Sequence, residues 1–452
     1  MMRNQLTSDN ETPTAAVSAL STDETISGRP GVFVRLTLMM LLEFVVFGSW
    51  FATFGLVLAT HGLGAIIGPA YTLAAVAAIA SPMLLGAIGD RFLASQKALA
   101  LAQIAGGIVM ALLPTIIASG NGGLTLTLIF VYMLFFQPTL GLANSIAFRH
   151  LGTNQKAFPY IRVFGTLGWV IAGLGVGALG LSASTNLFYV TAIASFIFGV
   201  YSFTLPSTPA PAKGARFSLG DLVGAKAFSL LKYRNFAVLM ICSLLTAVAL
   251  GVYNTYASPF LGALGIQNVA GVLAIGQAAE VVFVITIPFA VKYLGMKWAL
   301  LGGMVMWGVR FALFIVAAND HTWVAVLAVA LQGICNDFFL VLAAMYIGRV
   351  APVQFSAQAQ SMLILVVSGF GQFFGSLFSG FVYAGTVGAD PHAGPAAWTP
   401  IWIIPIVSAI ITAVVWIIFF RYDRKKPLTV LGAEEQSGAT IPSTVSAASE
   451  SA

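Results

Sequence analysis

Charge is what this sequence has least of. Lys, Arg, Asp and Glu make up 8% of its 452 residues, against roughly a quarter in a soluble domain. With 59% hydrophobic residues and a mean hydropathy of +0.93, too few polar side chains remain to cover a water-facing surface. A soluble globular protein is excluded. Cysteine is equally sparse: Cys242 and Cys335 both sit in apolar runs. That excludes a disulfide framework and a CxxC-type metal site, and both are expected to be small core residues. HExxH, paired aspartates in a Gly-flanked motif and a soluble output domain are also missing, while His61, His150, His321 and His392 fall in loops or at helix ends. An intramembrane enzyme and a non-transporting sensor therefore find no support.

What is present is a succession of apolar segments, each near the about 20 residues a membrane-spanning helix needs. They cover approximately residues 33–60, 64–89, 97–119, 124–148, 160–182, 186–204, 236–262, 268–291, 297–318, 322–348, 357–386 and 398–421. The expected fold is an all-α integral membrane protein with twelve transmembrane helices. Residues 1–31 and 422–452 read as disordered cytoplasmic tails, 32–204 and 236–421 as two six-helix bundles, and 205–235 as a linker between them.

The net charge of +6 could indicate a nucleic-acid partner, but its distribution reports topology instead. Even-numbered connections carry Arg91 and Lys97, Arg149 and Lys156, Lys213 to Arg234, Lys292 and Lys297, and Arg349; odd-numbered ones carry no Lys or Arg. By the positive-inside rule both termini lie in the cytoplasm. The linker begins with the stiff Pro206-Ser-Thr-Pro-Ala-Pro. It continues from Arg216 to Arg234 with Phe217, Leu219, Leu222, Val223, Leu230 and Leu231 among basic residues, the pattern of a helix on the inner membrane surface. Small residues at close-packing spacing, Gly173 and Gly177, Gly371 and Gly375, then Ser376 and Gly380, provide either static packing or surfaces that slide. Six plus six helices around a basic bridge resembles the major facilitator superfamily, as does Gly86-Ala-Ile-Gly-Asp90-Arg91, although the later part of that loop motif is degraded.

Five charges fall clearly within the spans: Glu43, Arg162, Glu280, Arg310 and Asp337. Each costs at least about 2.5 kcal/mol at the bilayer centre. Glu280 lies roughly 18 Å from the outer end of its helix, near the midplane, with Gln277 on the same face. Desolvation there lets a carboxyl be neutral at one stage of a cycle and ionised at another. Asp337 is similarly deep, so the two could bind protons and polar substrate groups or bond neighbouring helices. Glu43, roughly 14 Å into the first helix, is a third proton site or the partner of a structural cation. Arg162 is close enough to the inner end to snorkel, yet Thr166 and Trp169 share its face, a combination suited to a polar, ring-containing ligand. For Arg310, with no polar stripe around it, a structural partner or outward snorkelling is favoured.

Several blocks resemble one family. Phe158-Pro-Tyr-Ile-Arg162-Val-Phe-Gly-Thr166-Leu-Gly-Trp169, Gln277-Ala-Ala-Glu280, Asp337-Phe-Phe, Gly48-Ser-Trp50, Pro138-Thr-Leu-Gly-Leu-Ala-Asn144 and Trp307-Gly-Val-Arg310-Phe-Ala-Leu-Phe are together similar to the bacterial nucleoside:H+ symporters. The resemblance implies a proton-coupled nucleoside importer of the bacterial inner membrane, with protons as coupling ion, no cofactor and a monomeric state. It implies that Arg162, Thr166, Trp169, Asn254, Gln277 and Glu280 line the substrate site, and that Asp337, with Glu280 contributing, carries the proton. Three positions depart from the family pattern: Gly251 replaces an amide, and Gln332 and Asn336 replace aromatics. Both new amides are expected at the site, where a more polar tenth helix favours a purine, another glycosylated heterocycle or a sugar. Drug efflux is the alternative within transport, but the segment from Arg162 to Trp169 does not match the antiporter motif of such proteins.

Overall fold

The computed structural model describes residues 30–84, 93–152, 154, 157–209, 225–319, 321–390, 392–421 and 431. Its membrane segments are α1 (Pro30–Gly48), α2 (Ile67–Leu84), α3 (Ser95–Ala118), α4 (Gly122–Leu151), α5 (Phe158–Ala178), α6 (Leu187–Ser202), α7 (Arg234–Ala263), α8 (Val269–Tyr293), α9 (Met296–Asn319), α10 (Thr322–Val350), α11 (Gln358–Gly385) and α12 (Thr399–Phe419). Eleven are long and apolar enough to cross a bilayer, and α6, at 16 residues, completes the twelve among the described residues. The expected tails lie almost wholly outside the described residues, as do the motif at 86–91 and the first part, 216–224, of the predicted surface helix. The described end of the latter is a 3-10 turn, Ala225–Lys232.

The chain repeats its own packing. In the first half α1 packs on α5 and α6, α3 on α4 and α6, and α2 on α4. Adding six to each number reproduces the second half: α7 on α11 and α12, α9 on α10 and α12, α8 on α10. Polar contacts follow the same operation. Arg35 of α1 donates to the Thr204 carbonyl beyond α6 at 3.2 Å, and Arg234 of α7 donates to the Phe419 carbonyl ending α12 at 2.9 Å. Both are cations satisfying the orphan carbonyls of a helix C-terminus.

The bundles meet along α2 with α11 and α5 with α8. Contact concentrates at the end of the molecule opposite the basic residues. A Cβ on Gly68 would lie 2.7 Å from the Gly380 Cα, one on Gly55 would lie 2.7 Å from the Thr255 carbonyl, and one on Gly177 would run into the Asn268 side chain. Ser182, just after α5, accepts the Ala270 N–H near the start of α8 at 3.2 Å. Of the small-residue pairs, Gly173 with Gly177 faces the other bundle, whereas Gly371 with Gly375 packs inside its own bundle against α7.

Three segments predicted as continuous are interrupted. After α1 the chain turns through Ser49–Thr53 and resumes as Phe54–Thr60. The interruption leaves backbone groups to satisfy, and one side chain serves two of them: Tyr71 of α2 donates its hydroxyl to the Phe51 carbonyl at 2.7 Å and accepts the Gly55 N–H at 3.3 Å. Helix α10 contains a π-turn at Asp337–Val341 and α11 one at Leu365–Gly371. Such turns place an extra residue within a helix and are frequent at functional sites. Cys242 and Cys335 are both buried and free.

Candidate substrate cavity

Close approach of small residues sets where the polar side chains point. On the first bundle α1 and α5 touch through backbone: a Cβ on Gly168 would run into the Leu41 carbonyl, and one on Gly48 would lie 2.9 Å from the Trp169 Cα. Trp169 is thereby held beside Phe47, ring centroids 4.8 Å apart in an edge-to-face arrangement that aromatic quadrupoles favour. On the second bundle Gly333 of α10 lies against the Ala279 carbonyl of α8, a Cβ there meeting it at 2.6 Å. That contact brings the acid of α8 to the amides of α10.

Between the bundles lies a cavity of about 330 Å³. Arg162, Thr166 and Trp169 line it from α5, Asn254 from α7, Gln277 and Glu280 from α8, and Gln332 and Asn336 from α10. All eight residues expected at the substrate site thus meet on one cavity. Arg162 does not snorkel away. Its guanidinium lies over the Phe44 ring, 4.2 Å from the centroid. A smaller recess above, lined by Phe51, Trp169, Tyr253, Asn254 and Gln277 among others, continues toward the closed end.

Glu280 is the polar centre of this wall. Its Oε1 accepts from Gln277 Nε2 at 3.1 Å, Gln332 Nε2 at 3.2 Å and Asn336 Nδ2 at 2.6 Å. Gln332 then accepts from Arg310 Nη2 at 3.2 Å through its own carbonyl. Arg310 is 0% exposed. Its guanidinium sits 3.7 Å from the Tyr253 ring centroid and 5.3 Å from that of Trp307. Arg310 therefore has a structural partner, and outward snorkelling is not what the chain does.

The other two acids lie off the cavity lining. Asp337 is 5% exposed, and its Oδ2 is buried without a hydrogen-bond partner. Glu43 is 0% exposed, between α1, α3 and α4. Thr139 Oγ1 donates to its Oε1 at 2.6 Å, and Gln103 Nε2 approaches its Oε2 at 3.5 Å. No cation pairs with Glu43 among the described residues, so its partners are neutral.

Two lining amides escaped the sequence reading. Gln372 of α11 accepts from Asn254 Nδ2 at 2.9 Å, and Gln137 of α4 faces the same space. Gln372 follows Gly371 directly, and an uncharged amide beside a packing glycine carried no charge signal to mark it. Its position bears on Gly251. A Cβ there would lie 3.0 Å from the Gln372 carbonyl, so the missing side chain lets α11 approach and deliver an amide one turn from Asn254.

A family model described as Nucleoside H+ symporter matches residues 31–425. The YegT protein of Escherichia coli (strain K12) is 34% identical over 407 residues, covering 86% of this chain and 93% of YegT. The xanthosine permease of the same organism is 29% identical over 412 residues, 87% of this chain and 96% of the permease. The crystal structure of nucleoside transporter NupG superimposes with a TM-score of 0.75 at 27% identity, covering 87% of this chain and 100% of that one.

Proposed function

Since the chain belongs to the nucleoside H+ symporter family, we propose that it imports nucleosides together with protons across the bacterial inner membrane by alternating access. The observation that carries this reading is the cavity itself. It lies between two pseudo-symmetric bundles, where transporters of this architecture hold substrate. One wall offers a guanidinium, a hydroxyl and an indole from Arg162, Thr166 and Trp169, and the other a carboxyl and amides from Glu280, Gln277 and Asn254. Glu280 and Gln277 receive and donate hydrogen bonds to ribose hydroxyls, Asn254 meets the base edge, and Trp169 packs on an apolar face. Asp337 is the proton site.

Orientation follows from the basic connections, which put both termini in the cytoplasm. The tightly packed end is then the outer one, and the cavity belongs to an inward-facing state. Rocking the bundles about α2 with α11 and α5 with α8 would reverse access. A membrane potential adds about 2.3 kcal/mol per charge per 100 mV, so one proton carried with a neutral nucleoside drives accumulation.

The test is purified protein in liposomes with the outside acidified. Labelled adenosine and uridine are expected to accumulate, and a proton ionophore to abolish the accumulation. Accumulation of maltose or ribose with no uptake of any nucleoside would replace the substrate class, and nucleoside uptake indifferent to the ionophore would remove the coupling.

A further inference from the structure

Arg310 lies outside the cavity, on a helix that contributes nothing to the lining, yet it is a fully buried cation whose nearest acid is one side chain away. At Gln332 the hydrogen-bond direction is set by Arg310. A guanidinium only donates and a carboxylate only accepts. Gln332, between them, must turn its carbonyl to Arg310 and its NH2 to Glu280, which is how the two 3.2 Å bonds are arranged. Gln277 and Asn336 also turn their NH2 groups to the same oxygen, at 3.1 and 2.6 Å. Three N–H donors on one oxygen, one of them in the short range of charge-assisted bonds, suit an anion.

From this we infer that Gln332 is a positioning residue that ties the buried Arg310 to Glu280 and thereby holds Glu280 as a carboxylate, oriented to receive hydroxyls of the substrate and not to carry the coupled proton. The inference rests on the transport reading for its substrate, but the relay itself is a property of the empty protein. Gly276 makes room for it: a Cβ there would lie 2.8 Å from Gln332 Oε1. The charged and titratable groups around Glu280 are Arg162 across the cavity on α5, Tyr253 on α7, Arg310 on α9 and Asp337 on α10. Of these, only Arg310 is linked to it by a hydrogen-bonded path. The guanidinium lies over the Tyr253 ring and beside that of Trp307, within reach of cation–π attraction. One neutral amide transmits the effect of this cation.

The full-length protein is reconstituted in phosphatidylethanolamine and phosphatidylglycerol liposomes. Infrared difference spectra, wild type minus Glu280→Gln, are recorded without ligand as pH is lowered from 8 to about 5. Carboxylate bands are expected across the range in the wild type. In a Gln332→Met background they are expected to give way, as pH falls, to the carbonyl stretch of a protonated acid. Adenosine and uridine binding follows the same profile: KM nearly independent of pH in the wild type, rising roughly tenfold toward low pH in Gln332→Met with kcat changed less. Arg310→Met should reproduce that profile, and adding it to Gln332→Met should cost nothing more, because it acts through the amide.

A protonated-acid band for Glu280 in the wild type overturns the inference. So do carboxylate bands that persist in Gln332→Met, or additive losses in the double variant. If Gln332→Met does not insert, Arg310→Lys keeps a cation but removes the planar fork; a pH-dependent KM there supports the relay and an unchanged one refutes it. Failure of every nucleoside to bind would overturn the transport reading and leave the spectra to decide the relay.

Discussion

Glu43 and Thr139 are joined at 2.6 Å in a space fully closed to the cavity, and the same hydroxyl lies 2.6 Å from the Phe136 carbonyl. Gln103 Nε2 adds a third contact, 3.2 Å from Thr139 Oγ1. One hydroxyl hydrogen cannot serve both acceptors. A donor at position 43 resolves the conflict by giving its own hydrogen to Thr139, whose hydroxyl then turns to Phe136. A glutamine supplies such a donor in the same shape.

Glu43→Gln is therefore expected to keep proton-driven uptake within about twofold of the wild type. Glu43→Leu, which removes the acceptor of one Gln103 N–H in a dry site, should destabilise the fold by about 1–3 kcal/mol. Thermal unfolding in detergent and uptake in liposomes read the two effects. Loss of coupling in Glu43→Gln, with folding intact, would instead make Glu43 part of the proton path.

Asp337 stands in contrast. Its buried oxygen has no partner, it opens the π-turn of α10, and its neighbour Asn336 is bonded to Glu280. Asparagine preserves the shape but cannot exchange a proton. A pH step of one unit corresponds to about 1.4 kcal/mol per proton, enough to concentrate a neutral solute about tenfold. Asp337→Asn is expected to reduce that ratio to unity while nucleoside exchange between the two faces continues. Accumulation equal to wild type, with the proton gradient as sole driving force, would remove Asp337 from the coupling role.

How much of this was readable beforehand depends on the kind of residue. Spans and their sidedness follow from long-range regularities of composition, and the acids of α8 and α10 announce themselves by the cost of charge in lipid. Arg162 was ambiguous by depth alone, because snorkelling and a site role differ only in which way the side chain turns. Gln372 and Gln137 were invisible because an amide within a span carries no such cost. The interruption after Gly48 was hidden for another reason: its stability comes from the hydroxyl of Tyr71 on another helix, and a local sequence window does not contain its partner.

The closed end can be loosened selectively. A side chain on Gly177 meets Asn268 and would lie 2.9 Å from the Gly271 nitrogen of the other bundle. Overpacking of this kind costs about 1–3 kcal/mol, and it falls on the closed arrangement alone. Gly177→Val should therefore shift the population toward outward-facing states by roughly 5- to 150-fold. Ala257→Cys, in the recess below that closure and in a chain lacking Cys242 and Cys335, should react correspondingly faster with a membrane-impermeant maleimide applied outside. An unchanged alkylation rate would show that the seam is not the gate.

Gln372 supplies the last case, because its role is inseparable from that of Gly251. The amide reaches Asn254 from α11 only because position 251 has no side chain, and the Gly375 Cα lies 3.0 Å from where a Cβ there would be. Gln372→Leu leaves Asn254 without the bond that orients it, an omission worth about 1–3 kcal/mol for a polar group in a closed site. The expected result is a KM for nucleosides raised roughly 5- to 150-fold with the proton dependence of uptake unchanged, since neither Asp337 nor the bonds to Glu280 are touched. Restoring an amide from α7 with Gly251→Gln would not rescue it. That side chain would have to occupy the space of the α11 backbone, so the double variant should lose stability as well as affinity. Rescue by Gly251→Gln, measured as recovered KM without a lowered melting temperature, would show that the two helices are free to separate and that the amide, whatever its origin, is all the site requires.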